Sequence, residues 1–164
     1  MSANPYAPPT AQVDDVHPGA GEAAPALWNP GAAAKWSFLF TPIFGATVQM
    51  KNWQALGEPE KAAKSKQWLI GSIAFFALLF ALGMVLPDTK GVDAAFRGAG
   101  IGLLVAWYTL SAKLQVAHVA ARFGTAYPRK GWGLPLLYAV GGLVAFLAAV
   151  FAVALAVGLL QGEA

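Results

Sequence analysis

Residues 68–86 read WLIGSIAFFALLFALGMVL and residues 134–160 read LPLLYAVGGLVAFLAAVFAVALAVGLL, two stretches without a charged side chain. A helix rises 1.5 Å per residue, so each stretch can cross the roughly 30 Å hydrocarbon core of a bilayer. A water-soluble fold would interrupt such lengths with a polar face at helical or strand spacing, and none appears. Hydrocarbon is therefore the medium these segments are built for.

The rest of the chain agrees. Over its 164 residues it is 57% hydrophobic and 12% charged, with a mean hydropathy of +0.54, whereas soluble domains carry roughly 25% charged residues. The net charge of +3 comes from Lys and Arg in short connections rather than along one face. That argues for membrane topology and against nucleic acid. There is no cysteine, which removes disulfides, thiolate metal sites and cysteine nucleophiles. No basic stretch followed by an apolar core marks a signal peptide, so residues 1–27 are expected to persist.

Outward from the two spans, the sequence predicts an all-α polytopic membrane protein, a small bundle of four transmembrane helices. Residues 1–28 form a Pro/Ala/Gly-rich tail expected to be disordered, residues 29–160 the membrane domain, and residues 161–164 a short C-terminal tail. The expected segments are 30–56, 59–86, 98–123 and 133–160. Asn29 followed by Pro30 is a strong helix start, and Gly57 a plausible stop. Thr41, Pro42 and Gly45 mark a break inside the first segment, because Pro42 has no N–H to donate and Gly45 loosens the next turn. The apolar part of that segment, Trp36 to Met50, is short of the ~20 residues a crossing needs. Three spans plus a re-entrant or interfacial first helix are thus the alternative, since irregular backbone is tolerated at membrane depth when protein covers it.

Basic residues set the orientation. Lys51, Lys61, Lys64 and Lys66 follow the first segment, and Lys113, Arg122, Arg129 and Lys130 follow the core of the third. The opposite side holds Lys90 and Arg97, offset by Asp88 and Asp93. The positive-inside rule makes the regions 51–67 and 113–131 cytoplasmic in a bacterial inner membrane. Four spans then put both termini outside, and the re-entrant alternative moves the N-terminal tail inside. Trp53, Trp68 and Trp132 fall at the expected inner interface and Trp36 near the outer one; Trp107 lies at mid-depth, where it is expected to pack against another helix.

Two residue patterns carry most of the remaining information. Trp107, Ser111, Gln115, His118 and Arg122 share one face of the third helix, with Lys113 on the opposite side. The ionisable members lie in the last turns, where snorkelling towards anionic lipid accounts for them; a proton, ion or headgroup site is the functional alternative. Gly98 and Gly102, and Gly141, Ala145 and Ala149, are small residues at helical spacing, expected to mediate helix packing within the bundle or against a partner.

Enzyme signatures are missing. No HExxH, GxSxG, Walker loop or dinucleotide fingerprint occurs, and two histidines do not build a histidine-rich metal centre. Neither cofactor nor metal is expected, and the chain is read as non-enzymatic.

The NPYAPP tail resembles the juxtamembrane tails of small bacterial multi-pass proteins, RDD-like proteins among them, although the RDD signature itself does not occur. The block LWNPGAAAKWSFLFTPIFGATVQMKNWQALGEPEKA, Leu27 to Ala62, resembles a block of uncharacterised proteobacterial inner-membrane proteins, sometimes found behind a small cytoplasmic adaptor. The resemblance implies a bacterial inner-membrane protein and brings no activity with it. The sequence points to an accessory, assembly or interaction subunit whose partners are the lipid bilayer and a membrane protein or further copies of itself. A small oligomeric transporter or channel using the polar stripe is the alternative.

Overall fold

The computed structural model describes residues 24–162; the NPYAPP stretch and most of the N-terminal tail lie outside them. Among the described residues every regular element is helical, apart from an isolated parallel bridge between Leu27 and Arg129. The helices are α1 (Pro30–Ala55), α2 (Pro59–Gly83), α3 (Lys90–Trp107), α4 (Lys113–Phe123) and α5 (Gly133–Gln161). A π-turn, Tyr108–Ala112, joins α3 to α4 with helical backbone on both sides, so Lys90–Phe123 is one rod of 34 residues. Three helices are long and apolar enough to cross a membrane: α2, this rod, and α5. The chain is a membrane protein on that ground.

Helix α1 is not among these three. Asn29 caps it, its Oδ1 accepting from the Ala32 N–H at 3.2 Å, and Pro30 takes the first turn. The helix then breaks at Phe40 (φ −109°, ψ 16°) and Thr41 (φ 66°, ψ 168°). Pro42 drives the break: its ring disfavours helical backbone at the preceding residue and it offers no N–H to the Phe38 carbonyl. The two arms, residues 30–39 and 42–55, fold back on each other. At the open end the Asn52 side chain bonds both the N–H and the C=O of Trp28, at 3.0 and 2.8 Å, although 24 positions separate them. Near the tip Gly45 lies directly against Ser37 and the Trp107 ring. An unbroken helix would hold Trp28 and Asn52 about 36 Å apart. Both ends of α1 lie at one end of the molecule, and the expected kink is a full reversal. Arms of roughly 15 and 20 Å reach no further than part of a bilayer core.

The hairpin is the hub of the packing. One face of α2 buries Ala62, Ser65 and Ser72, with Leu69 and Trp68 packing on the cluster of Ala34, Ala46, Trp107 and Ala112. These small side chains let α2 and the hairpin approach closely, the usual basis of helix association in lipid. A second cluster, Ala33, Phe44 and Val48, receives Trp132, Leu136 and Ala139 from the start of α5. Trp36, Phe40, Phe44 and Trp132 form a row of rings 5.5–6.3 Å apart. Trp36 is therefore tied to the start of α5 rather than to the far interface expected for it.

The segment before α1 is stitched to the loop between α4 and α5. Leu27 donates to the Pro128 carbonyl (2.9 Å) and accepts from the Lys130 N–H (2.8 Å), the Trp28 indole donates to Gly131 (2.9 Å), and the Lys130 ammonium lies 4.5 Å over the Trp28 ring. Residues 24–29, the corner after α1 and the loop 124–132 thus gather at one end. Helix boundaries shift in two places. The third segment starts at Lys90 rather than 98, because Thr89 caps it through the Val92 N–H (3.2 Å) and Asp93 pairs loosely with Arg97 (3.8 Å). The second ends at Gly83 rather than 86.

Candidate functional site

The polar stripe meets the hairpin. Gln49 and Asn52 sit three residues apart on the second arm of α1 and face Ser111 and Gln115, four apart on the rod; all four are buried. Gln49 Nε2 donates to the Ser111 carbonyl (2.8 Å), and Ser111 Oγ donates back to Gln49 Oε1 (3.0 Å). Gln115 Nε2 donates to the Gln49 carbonyl (2.9 Å), and Asn52 Nδ2 donates to Gln115 Oε1 (3.3 Å) as well as to Trp28. Ser111 lies inside the π-turn, so its carbonyl and hydroxyl tie the turn to Gln49 on the hairpin. The network runs unbroken from the Trp28 backbone to the π-turn. In a low-dielectric interior a fully satisfied network of this kind specifies one arrangement.

Of the stripe residues, Ser111 and Gln115 are therefore consumed by internal bonding. His118 continues the same face, half-buried, with its ring 5.0 Å from that of Trp53 and Nε2 3.9 Å from Glu58 Oε1, beyond hydrogen-bond length. Lys113 and Arg122 are exposed; Lys113 is turned away from the network, while Arg122 exerts a charge on both Glu58 and His118. Trp107, at the head of the stripe, is almost wholly enclosed. Gln49 and Asn52 escaped the sequence reading. Their i, i+3 spacing, complementary to the i, i+4 pair on the rod, was the available signal.

Beside the network a groove of about 700 Å³ opens between the first turns of α2 and the π-turn and α4. Its walls are both polar and apolar, including Lys61, Lys64, Trp68, Leu110, Leu114 and His118. Lys61 is partly committed, 3.0 Å from Glu58 and 4.9 Å over the Trp53 ring. The hydrogen bond from Lys61 holds the Glu58 carboxyl below its ordinary value, with the charges of Lys61, His118 and Arg122 acting in the same direction. Lys64 has no anionic partner among the described residues.

The predicted packing residues meet no other element among the described residues. Nothing lies within 4 Å of a side chain built at Gly98, Gly102 or Gly141, and Ala145 and Ala149 are exposed. Thr41, Pro42 and Gly45 do cluster, as the hairpin tip.

Among the described residues no three His, Cys, Asp or Glu side chains gather as a metal site. No protein family, curated protein or solved structure matches the chain.

Proposed function

We propose that the chain is a non-enzymatic subunit of the bacterial cytoplasmic membrane that crosses the bilayer three times, inserts α1 as a re-entrant hairpin from the cytoplasmic side, and acts by binding a different membrane protein. The observation that carries this reading is the bare side of the hairpin tip. Phe38 and Leu39, next to the break at Phe40 and Thr41, are 68% and 69% exposed, and Pro42 has no N–H to complete a helical bond with the Phe38 carbonyl. Irregular backbone does not stand against lipid in the hydrocarbon region; it is covered by protein or by a water-filled cavity. The chain supplies part of that cover, enclosing Pro42 and half-burying Phe40 and Thr41, and leaves the Phe38–Leu39 side bare. Nothing of the most apolar stretch of α5 is buried within the chain, and the small-residue faces of α3 and α5 stay bare, ready to receive a helix.

The orientation follows from Lys51, Lys61, Lys64, Lys66, Arg122, Arg129 and Lys130 at the hairpin's open end against Lys90 and Arg97 at the other. The bacterial setting follows from the resemblance of the block Leu27 to Ala62. A transport path along the stripe is disfavoured because Ser111 and Gln115 already spend their hydrogen bonds on Gln49 and Asn52.

A photo-crosslinking residue at Phe38, activated in native membranes, tests the reading. The expected product is one adduct of defined mass with a second membrane protein, absent from the same probe at Leu78, which is exposed on α2 away from the small-residue faces. Adducts with lipid alone, or a dimer of this chain alone, overturn it.

A further inference from the structure

We propose that the groove between α2 and α4 is a binding site for an anionic phospholipid, with the headgroup phosphate held by Lys61 and Lys64 and an acyl chain laid along Leu110 and Leu114. Four features of one place lead here. The cavity of about 700 Å³ is within the range of small-molecule sites. Its cations outnumber its carboxylates: Lys64 is uncommitted among the described residues, Lys61 is shared with Glu58, and Arg122 adds its charge from nearby. His118 lines the groove as well, half-buried, and adds positive charge there when protonated. The fourth feature separates a lipid from a free anion.

That feature is the graded wall. The lysines stand on the polar first turns of α2, Trp68 follows at the level where indoles anchor in interfaces, and Leu110 and Leu114 come next. Leu110 and Leu114 are 64% and 61% exposed, so the groove's apolar side continues onto the surface that faces the bilayer. A small anion would use the lysines and leave that side empty. An amphiphile with a charged head and a hydrocarbon tail matches all of it. Basic pockets between transmembrane helices on the cytoplasmic side are a recognised setting for such headgroups.

The test uses the full chain reconstituted in nanodiscs, with brominated phosphatidylglycerol or brominated phosphatidylcholine as quenchers of indole fluorescence. The Trp68 signal is taken as the difference from a Trp68→Phe variant, because the chain has six tryptophans. Phosphatidylglycerol is expected to quench Trp68 at several-fold lower mole fraction than phosphatidylcholine. A lysine near an anionic lipid surface contributes on the order of fivefold in affinity, so Lys64→Gln should remove most of that preference and Lys64→Arg should retain it, which also shows that the variants fold. Lys90→Gln, at the opposite end of the rod, should leave it intact. Equal quenching by both lipids overturns the proposal, as does an equal loss in Lys90→Gln, which would mean that overall charge attracts the lipid. Displacement of the lipid by millimolar inorganic phosphate would assign the site to a free anion and overturn it too. The crosslinking at Phe38 reads the opposite part of the hairpin, so each proposal can fail alone.

Discussion

Thr41 and Gly45 place opposite demands on the backbone four residues apart. Thr41 adopts φ 66° and ψ 168°, a region occupied almost only by glycine and costing other residues on the order of 1–3 kcal/mol. Its ψ follows from Pro42, which excludes helical backbone at the residue before it; its positive φ is what turns the chain back. Gly45 has ordinary helical backbone, and what it lacks is room: an added methyl would run into Ser37 and the Trp107 ring. Thr41→Gly should therefore stabilise the protein by about 1 kcal/mol, the released strain exceeding the roughly 0.5–1 kcal/mol of extra freedom glycine gives the unfolded chain. Gly45→Ala should destabilise it by about 2 kcal/mol, the usual effect of overpacking. Both are read from unfolding midpoints in mixed micelles titrated with a denaturing detergent. A destabilised Thr41→Gly would show that the reversal does not depend on this conformation, and a silent Gly45→Ala that Trp107 does not press on the hairpin.

The hairpin is an element whose shape depends on contacts between its two ends. Asn52 closes it through both backbone groups of Trp28, and Gln49 fixes the second arm to the π-turn. Spin labels at Ala32 and Gln54 would lie about 33 Å apart on an unbroken helix; the closed hairpin should bring them to within roughly 20 Å. Asn52→Ala removes the clasp and leaves two part-buried backbone groups of Trp28 without it, each worth about 1 kcal/mol, so the distance distribution should broaden towards longer values. A single narrow population near 33 Å in the unsubstituted chain would restore the straight helix. Part of this was legible beforehand. Asn29 with Pro30 announces the start of α1, Pro42 announces a break, and the uncharged stretches of α2 and α5 announce crossings, because each is a local property of neighbouring residues. How far the chain turns at Pro42 is not local: the clasp joins positions 28 and 52, and the lock joins 49 to 111. The π-turn gave no signal, since its five residues suit an α-helix equally well. The cap at Thr89 was visible in principle, but Gly91 and the charges at 88–97 made the first turns of α3 look like a loop.

At the scale of the molecule the hairpin changes the parity of the termini. Three crossings put residues 24–29 and the end of α5 on opposite sides, whereas four would put them on the same side. The stitching of Leu27 and Trp28 to residues 128–131 ties the N-terminal segment to the connection between α4 and α5, so these two must share a side whichever way the protein is inserted. The chain has no cysteine, which makes single substitutions clean reporters. With a membrane-impermeant maleimide on intact spheroplasts, cysteines at Asp88 and Gly162 should react at once, and those at Ala26 and Thr125 only after the membrane is opened. The combinations separate two layers of argument. Ala26 reacting together with Gly162 from outside would mean that α1 crosses and that the clasp between Trp28 and Asn52 does not exist in the membrane. Ala26 and Thr125 both reacting from outside, with Asp88 and Gly162 protected, would keep the hairpin and three crossings but reverse the insertion. That second outcome would require the lysines and arginines at the hairpin's open end to have been moved across the bilayer against the bias that normally retains them, and it would place the groove at Lys61 and Lys64 on the outer leaflet.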